Sequence, residues 1–118
     1  MSKHVVIFIS GPMRGYPNHN REAFFDAEEK LKELGFTVLN PAYLPDGLTM
    51  QAYLDIDSAM VRAADVVVCL EGHERSVGSG VEKALASATN KRVVSINDFV
   101  DQIRGYKLVK ELIDLCEN

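Results

Sequence analysis

Residues 66–82 read VVVCLEGHERSVGSGVE, which predicts a strand, a glycine-rich loop and the start of a helix. The run from Val66 to Leu70 is entirely apolar, as is typical of a parallel strand that is buried on both faces. A helix is expected to begin near Gly78 and to carry Glu82 in its first turn. Glycines let a ligand approach the backbone closely, and the free N–H groups at a helix start attract anions. The segment therefore predicts an anion-binding loop with a carboxylate beside it.

The carboxylate of Glu82 needs its own explanation, because it repels an anion bound at the same loop. Glu82 is better explained as a group that acts on something next to a bound phosphate than as a ligand of that phosphate. The competing interpretation is structural: a glutamate near a helix start complements the positive end of the helix dipole. Residues 66–82 alone leave both interpretations open.

The rest of the chain alternates strands and helices, which predicts an α/β fold. We expect a Rossmann-like (flavodoxin-like) three-layer sandwich with a parallel sheet of four or five strands, formed as one domain over residues 1–118. The other predicted strands are Val5–Ile9, Phe36–Leu39 and Arg92–Ile96. The predicted helices are Asn20–Leu34, Thr49–Ala64, Gly78–Asn90 and a tail from Asp98, in which Gly105 is a candidate break. Ligands of such sheets bind beyond the carboxyl ends of the strands. The loops at that edge are 10–16, 40–47 and 71–79.

Composition excludes several classes of partner. A net charge of −4 and the absence of a basic run argue against a nucleic acid polymer or an anionic membrane as the partner. The apolar runs are only strand-length and the first residues lack a signal-peptide pattern, so we expect a cytoplasmic protein. The two cysteines, Cys69 and Cys116, form neither a disulfide framework nor a metal signature. No metal and no other cofactor is predicted.

Asp57 is a second carboxylate in an unusual place. The apolar residues of the helix predicted at 49–64 fall on one face, and Asp57 lies at the centre of that face between Tyr53 and Met60. Asp55 points to the opposite side. Burial would raise the pKa of Asp57, which suits a proton donor near neutral pH. The alternative is a buried aspartate that caps a neighbouring loop.

Asp57 and Glu82 converge on the same predicted cleft. A carboxylate near a helix start and partly open, paired with another in an apolar setting, is the division of labour used to cleave glycosidic bonds. The two residues are therefore predicted to be catalytic.

Three motifs resemble the nucleoside 2-deoxyribosyltransferase superfamily, in particular its small, phage-associated deoxyribosyltransferase-like branch. They are ISGPMRGY at residues 9–16, Asn40-Pro41, and GHERSVGSGVE at residues 72–82. The resemblance spans about residues 5 to 95. It implies that Glu82 is the nucleophile, that Asp57 is the catalytic aspartate, and that the protein forms a homo-oligomer (a dimer or higher). The chain departs from the family at His73, where a tryptophan is usual, and at Pro12, where the monophosphate hydrolases have a serine.

The resemblance also implies a substrate class. Arg14 and Ser76 match the phosphate-binding residues of superfamily members that hydrolyse nucleoside 5′-monophosphates. The full set of predicted substrate-binding residues is Ser10, Gly11, Arg14, Tyr16, Ser76, Gly78 and Gly80. We therefore expect an N-glycosidase that acts on a small-molecule nucleotide through a covalent glycosyl–enzyme intermediate. The alternatives are a 2-deoxyribosyltransferase that acts on free nucleosides and a non-catalytic nucleotide-binding or sensor domain.

The last predicted helix presents an apolar face at residues 107–116. Packing of this face on the sheet is the first expectation, and contact with another subunit is the second.

Overall fold

The computed structural model describes residues 4–117. Within them the strands are β1 (Val6–Ser10), β2 (Thr37–Leu39), β3 (Val66–Cys69) and β4 (Arg92–Ser95), and the α-helices are α1 (Arg21–Glu33), α2 (Met50–Ala63), α3 (Val77–Ala88) and α4 (Ile96–Glu117). Short 3₁₀ turns lie at Pro17–Asn20, Pro41–Tyr43 and His73–Arg75. No helix within residues 4–117 is both long enough and apolar enough to cross a membrane.

The strands form one parallel sheet with the order β2-β1-β3-β4. The central strands β1 and β3 are almost wholly buried, which explains their continuous apolar sequences. Alternate residues of each strand point to opposite faces. On one face Ile7 and Ile9 pack with residues of α1 and with Phe99 of α4. On the other face Phe8 packs with Val61 of α2 and Ala86 of α3. The predicted flavodoxin-like sandwich is confirmed.

The topology places a cleft at the carboxyl ends of β1 and β3. From β1 the chain moves outward to β2 on one side, whereas from β3 it moves outward to β4 on the other side. The crossover helices therefore diverge between β1 and β3, which is where open parallel sheets bind ligands. The strand ends are in register, with Ser10 opposite Cys69. The loops that follow these two strands consequently lie side by side.

The expected place of Glu82 in the first turn of α3 and the suggested break of the last helix at Gly105 were wrong. Helix α3 begins at Val77, one residue from the expected start near Gly78, because the side chain of Ser76 accepts a hydrogen bond from the backbone N–H of Ser79 and so caps the helix. Glu82 consequently lies in the second turn of α3. Helix α4 is continuous through Gly105 and extends for 22 residues.

The second half of α4 does not pack on the sheet, contrary to the first expectation for residues 107–116. Phe99 and Val100 are buried, but every residue from Arg104 to Glu117 is exposed. Lys107 donates a hydrogen bond to the backbone carbonyl of Leu34 at 3.0 Å. The molecule is 57 Å long, against 29 and 23 Å in its other dimensions.

Candidate active site

A cavity of about 870 Å³ opens at the carboxyl ends of β1 and β3. Its walls come from the loop after β1, the loop after β2, one face of α2 and the start of α3. Among the residues predicted to bind or cleave a substrate, those that line it are Gly11, Arg14, Tyr16, Asp57, Ser76, Gly78 and Glu82. The fold thus brings together residues that are up to 71 positions apart between Gly11 and Glu82.

Glu82 is held by the hydroxyl group of Ser10, which is itself hydrogen-bonded to the hydroxyl group of Ser79. The hydroxyl of Ser10, the last residue of β1, donates a hydrogen bond to Oε1 of Glu82 at 2.6 Å. The Ser10 oxygen also lies 2.5 Å from the hydroxyl oxygen of Ser79. Ser79 faces Glu82 because residues three positions apart in a helix lie on the same side. The Glu82 carboxyl group is therefore fixed between the end of β1 and the first turn of α3.

Asp57 projects from the middle of α2 into the same cavity. Its Oδ1 atom is buried and has no hydrogen-bond partner among the described residues. A buried acceptor without a partner costs free energy, so such an atom marks a place where a ligand group is needed. A capping role would instead pair this oxygen with a neighbouring backbone N–H, and no such bond forms.

The two carboxyl groups interact directly. Burial raises the pKa of Glu82 to about 8; the Ser10 hydrogen bond opposes this shift, and the hydrogen bond and charge of Asp57 add to it. Burial also raises the pKa of Asp57, and the hydrogen bond from Glu82 opposes that shift. Two adjacent buried carboxyls cannot both ionise easily, so near neutral pH the pair shares one proton.

The burial of this pair differs from the expectation in one respect. Glu82 was expected to be partly open, but only 8% of it is exposed, and Asp57 is the more accessible of the two. The reason is the hydrogen bond of Glu82 with Ser10, which is itself inaccessible. Periodicity within α2 located Asp57. The burial of Glu82 depends on the position of Ser10 at the end of β1, next to β3, and the sequence around Glu82 does not reveal that position.

The other end of the cavity suits an anion. Val77, Gly78 and Ser79 line it, so the cavity lies against the first turn of α3, where helices leave backbone N–H groups without partners inside the helix. The N–H of Ser79 is already taken by the side chain of Ser76. Arg14 and Arg75, each of which carries a guanidinium group, also line the cavity. Arg75 was not predicted, and no pattern in the sequence distinguishes it from a solvated loop residue.

The remaining predicted residues have different surroundings. A side chain at Gly11 would approach the Leu70 Cβ to 2.9 Å, so close packing against the end of β3 requires glycine there. Ser10 does not line the cavity, because its hydroxyl contacts Glu82, and Gly80 is exposed on α3 outside the lining residues. Substrate contacts by these two residues remain predictions. His73, also outside the lining, places Nδ1 2.8 Å from Nζ of Lys83.

The rest of the cavity lining is largely apolar, and an arginine anchors the loop after β2 that forms part of it. Its apolar members include Phe24, Leu44, Met50, Tyr53 and Leu54. Arg21 forms an ion pair with Asp46 at 2.6 Å and donates to the backbone carbonyl of Ala42 at 3.2 Å. These bonds fasten the loop after β2 to α1. Within residues 4–117 no group of three or more His, Cys, Asp or Glu side chains is arranged to hold a metal ion.

Comparisons with known proteins identify the family of this chain and solved structures that resemble it. The family described as a domain of unknown function (DUF4406) matches residues 5–95. The chain is similar in structure to a 2-desoxiribosyltransferase from Leishmania mexicana, with a TM-score of 0.64 and 19% identity over 77% of this chain. It is also similar to the solution structure of BlsM, with a TM-score of 0.62 and 26% identity over 76% of this chain.

These similarities have limits. The chain spans 63% of the length of each of these two proteins. At 19% identity, the likeness to the Leishmania protein demonstrates a common fold. No curated protein matches the chain. The predicted resemblance to the deoxyribosyltransferase superfamily is confirmed at the level of structure.

Proposed function

We propose that this chain, which belongs to the family described as a domain of unknown function (DUF4406), cleaves the N-glycosidic bond of (deoxy)nucleoside 5′-monophosphates. The observation that carries the proposal is the proton-sharing pair of Asp57 and Glu82, which opens into the cavity lined by Arg14 and the start of α3. A pair of carboxyls supplies both the acid and the nucleophile that glycoside cleavage requires. The neighbouring anion-binding surface supports a substrate that carries a phosphate.

In the proposed reaction, Glu82 attacks C1′ of the sugar and the bond from C1′ to the base breaks. Asp57 gives its proton to the departing base, which leaves a glycosyl ester on Glu82. Asp57, now ionised, takes a proton from the incoming water, and the hydroxide attacks C1′ and releases the carboxylate of Glu82. The product sugar phosphate retains its anomeric configuration because two displacements occur.

The proton in the pair must lie on Asp57 when the reaction starts. In the free protein burial favours the neutral form of Glu82, whereas the Ser10 hydrogen bond favours its charged form. Carboxyls that share a hydrogen bond are closer than the separation of about 5–5.5 Å found in retaining glycosidases. The substrate must therefore break the contact between Asp57 and Glu82 as the sugar enters. Binding energy from the phosphate end is available to offset that cost.

The phosphate would lie at the start of α3. Arg14 supplies a planar fork that matches phosphate oxygens, and the Ser76 hydroxyl retains a hydrogen to donate while its oxygen caps the helix. The sugar then lies next to Glu82, and the base extends toward the apolar wall formed by α2. A second candidate activity, transfer of the sugar to another base, uses the same first step and differs only in the acceptor.

One experiment tests the proposal. The protein is incubated with ribo- and deoxynucleoside 5′-monophosphates and with the matching nucleosides, and the released base is measured by chromatography. We expect base and sugar phosphate in equal amounts from at least one monophosphate, and no release by the Glu82→Gln variant. Addition of a second free base distinguishes transfer, because a new nucleoside or nucleotide then appears. Binding of a monophosphate without any base release would overturn the enzymatic assignment in favour of a nucleotide-binding domain.

A further inference from the structure

A buried contact between two serine hydroxyls links β1 to α3 next to the carboxyl pair. The Oγ atoms of Ser10 and Ser79 are 2.5 Å apart, and the same Ser10 oxygen lies 2.6 Å from Oε1 of Glu82. Ser10 is completely buried and Ser79 is only 1% exposed, so bulk water does not compete for these hydrogen bonds. The proposed reaction uses Glu82 and Asp57 but assigns no part to Ser79.

The number of available hydrogens fixes the direction of these bonds. Glu82 in its neutral form has one acidic hydrogen, which it donates to Asp57, and in its ionised form it has none. In either form Oε1 of Glu82 therefore accepts the hydroxyl hydrogen of Ser10. A serine hydroxyl has only one hydrogen. Because Ser10 gives its hydrogen to Glu82, the 2.5 Å contact requires Ser79 to be the donor to Ser10.

The position of Ser79 in α3 gives no other reason for a serine there. Serine at a helix start usually acts as the cap, but Ser76 already fills that position by accepting the backbone N–H of Ser79. Inside a helix alanine is the more favourable residue. The hydroxyl of Ser79 instead reaches another element, at the end of β1. Its contact with Ser10 is therefore the feature that distinguishes Ser79 from a residue chosen for helix stability.

We propose that Ser79 is a positioning residue for the nucleophile: its hydroxyl donates to Ser10 and thereby directs the hydrogen of Ser10 to Glu82. This role rests on the proposed reaction, in which Glu82 must be ionised once the substrate has separated it from Asp57. A hydroxyl that accepts a hydrogen bond becomes a stronger donor, because hydrogen bonds in a chain polarise one another. Ser79 thus stabilises the charged form of Glu82 through Ser10.

The titration of Glu82 can report this effect, because few other groups near it change their charge. Burial raises the pKa of Glu82 to about 8, and Asp57 of α2 adds to that shift. Cys69 of β3 is close enough to be affected by the charge of Glu82, but burial raises the pKa of its thiol to about 11, so it stays neutral below about pH 9. Lys83, the next residue of α3, is hydrogen-bonded to His73. The arginines that line the cavity are the same in every variant described below.

The first test is the titration of Glu82 in the free protein, followed by NMR of isotopically labelled glutamate carboxyl carbons and assigned with Glu82→Gln. Ser10→Ala removes the direct donor and should raise the pKa of Glu82 by about one pH unit. Ser79→Ala should raise it by about half a pH unit. Ser87→Ala is the matched control, because Ser87 is an exposed serine on the same helix, and it should leave the titration unchanged.

The double variant separates an effect through Ser10 from a direct one. If Ser79 acts through Ser10, Ser79→Ala added to Ser10→Ala should cause no further change in the pKa of Glu82. An unchanged pKa in the single Ser79→Ala variant would overturn the proposal. An equal rise with and without the Ser10 hydroxyl would also overturn it, because Ser79 would then act on Glu82 by another route.

Kinetics on a nucleoside monophosphate measure the consequence for the reaction. Half a pH unit is about a threefold change in the ionised fraction of Glu82. Ser79→Ala should therefore move the acidic limb of the kcat profile about half a pH unit higher, lower kcat about threefold on that limb, and leave KM nearly unchanged. A raised KM with an unchanged kcat profile would overturn the positioning role, because Ser79, which lines the cavity, would then contact the substrate. If no nucleotide releases its base, the proposed function fails, whereas the titration of the free protein still decides the role of Ser79.

Discussion

At the scale of single residues, the chemistry depends on which carboxyl of the pair carries the shared proton. Ser10 donates to Glu82 and favours its ionised form, whereas burial favours its neutral form. Asp57 has a buried oxygen with no partner among the described residues and is the more accessible acid. The hydrogen bond between the two carboxyls raises the pKa of Glu82 and lowers that of Asp57 in the free protein, so the proposed roles of Asp57 as acid and Glu82 as nucleophile require the proton to move to Asp57 when the substrate binds.

Glu82→Gln should abolish base release while it preserves nucleotide binding. The substitution retains the shape of the side chain and its hydrogen bond with Ser10, but the neutral amide cannot attack C1′. Turnover is measured by chromatography of released base, and binding by calorimetry. We expect a loss of at least a hundredfold in turnover, about 2.7 kcal/mol in barrier height. A variant that retains more than about a tenth of wild-type turnover, a loss below ~1.4 kcal/mol, would contradict the covalent mechanism.

Asp57→Asn should remove most base release and leave the melting temperature near pH 7 equal to that of the wild type or higher. The substitution removes a proton donor from the reaction and removes a buried charge from the fold, since burial raises the pKa of Asp57. Asp55→Asn is the control on the same helix: Asp55 is exposed and accepts a hydrogen bond from Gln51, so neither property should change much. If Asp57→Asn melts well below the wild type and stays active, Asp57 is a structural residue.

At the scale of elements, the loop after β1 and the first turn of α3 form the proposed phosphate-binding site. Arg14→Ala should raise the Michaelis constant for a nucleoside monophosphate far more than that for the matching nucleoside. The loss of a charge-assisted hydrogen bond costs roughly 1.5–3 kcal/mol, which corresponds to about 10- to 150-fold in this constant. Steady-state kinetics on both substrates provide the measurement. Equal effects on the two substrates would mean that Arg14 shapes the loop without contacting the phosphate.

The elements also show how far the sequence could predict the structure. Continuous β-branched runs located β1 and β3, and helical periodicity placed Asp57 on the inner face of α2. The same periodicity identified the apolar face of residues 107–116 but assigned it to the sheet, which was wrong. Periodicity tells which residues share a face; it does not tell what the face contacts. The hydrogen bond from Ser10 to Glu82, which are 72 positions apart, likewise became visible only in the folded chain.

At the scale of the whole molecule, the buried pair links folding to pH. The pKa of Glu82 rises from 4.5 to about 8 on folding, so the folded state holds a proton that the unfolded state loses at neutral pH. The stability that this proton contributes is fully present below about pH 4.5. It falls as pH rises toward about 8, where the folded state loses the proton as well, and it is constant above that. The shift of Asp57 has the same direction and adds to this slope.

We therefore expect the melting temperature of the wild type to decrease between about pH 5 and pH 8, measured by differential scanning calorimetry at constant ionic strength. Glu82→Gln cannot ionise at this position, so its melting temperature should change less over the same range and should exceed that of the wild type at pH 8. Asp55→Asn, which leaves the buried pair intact, should follow the wild-type curve. A Glu82→Gln curve parallel to the wild type would show that the pair does not hold a proton in the folded state. The acid for the departing base would then have to be found elsewhere in the cavity.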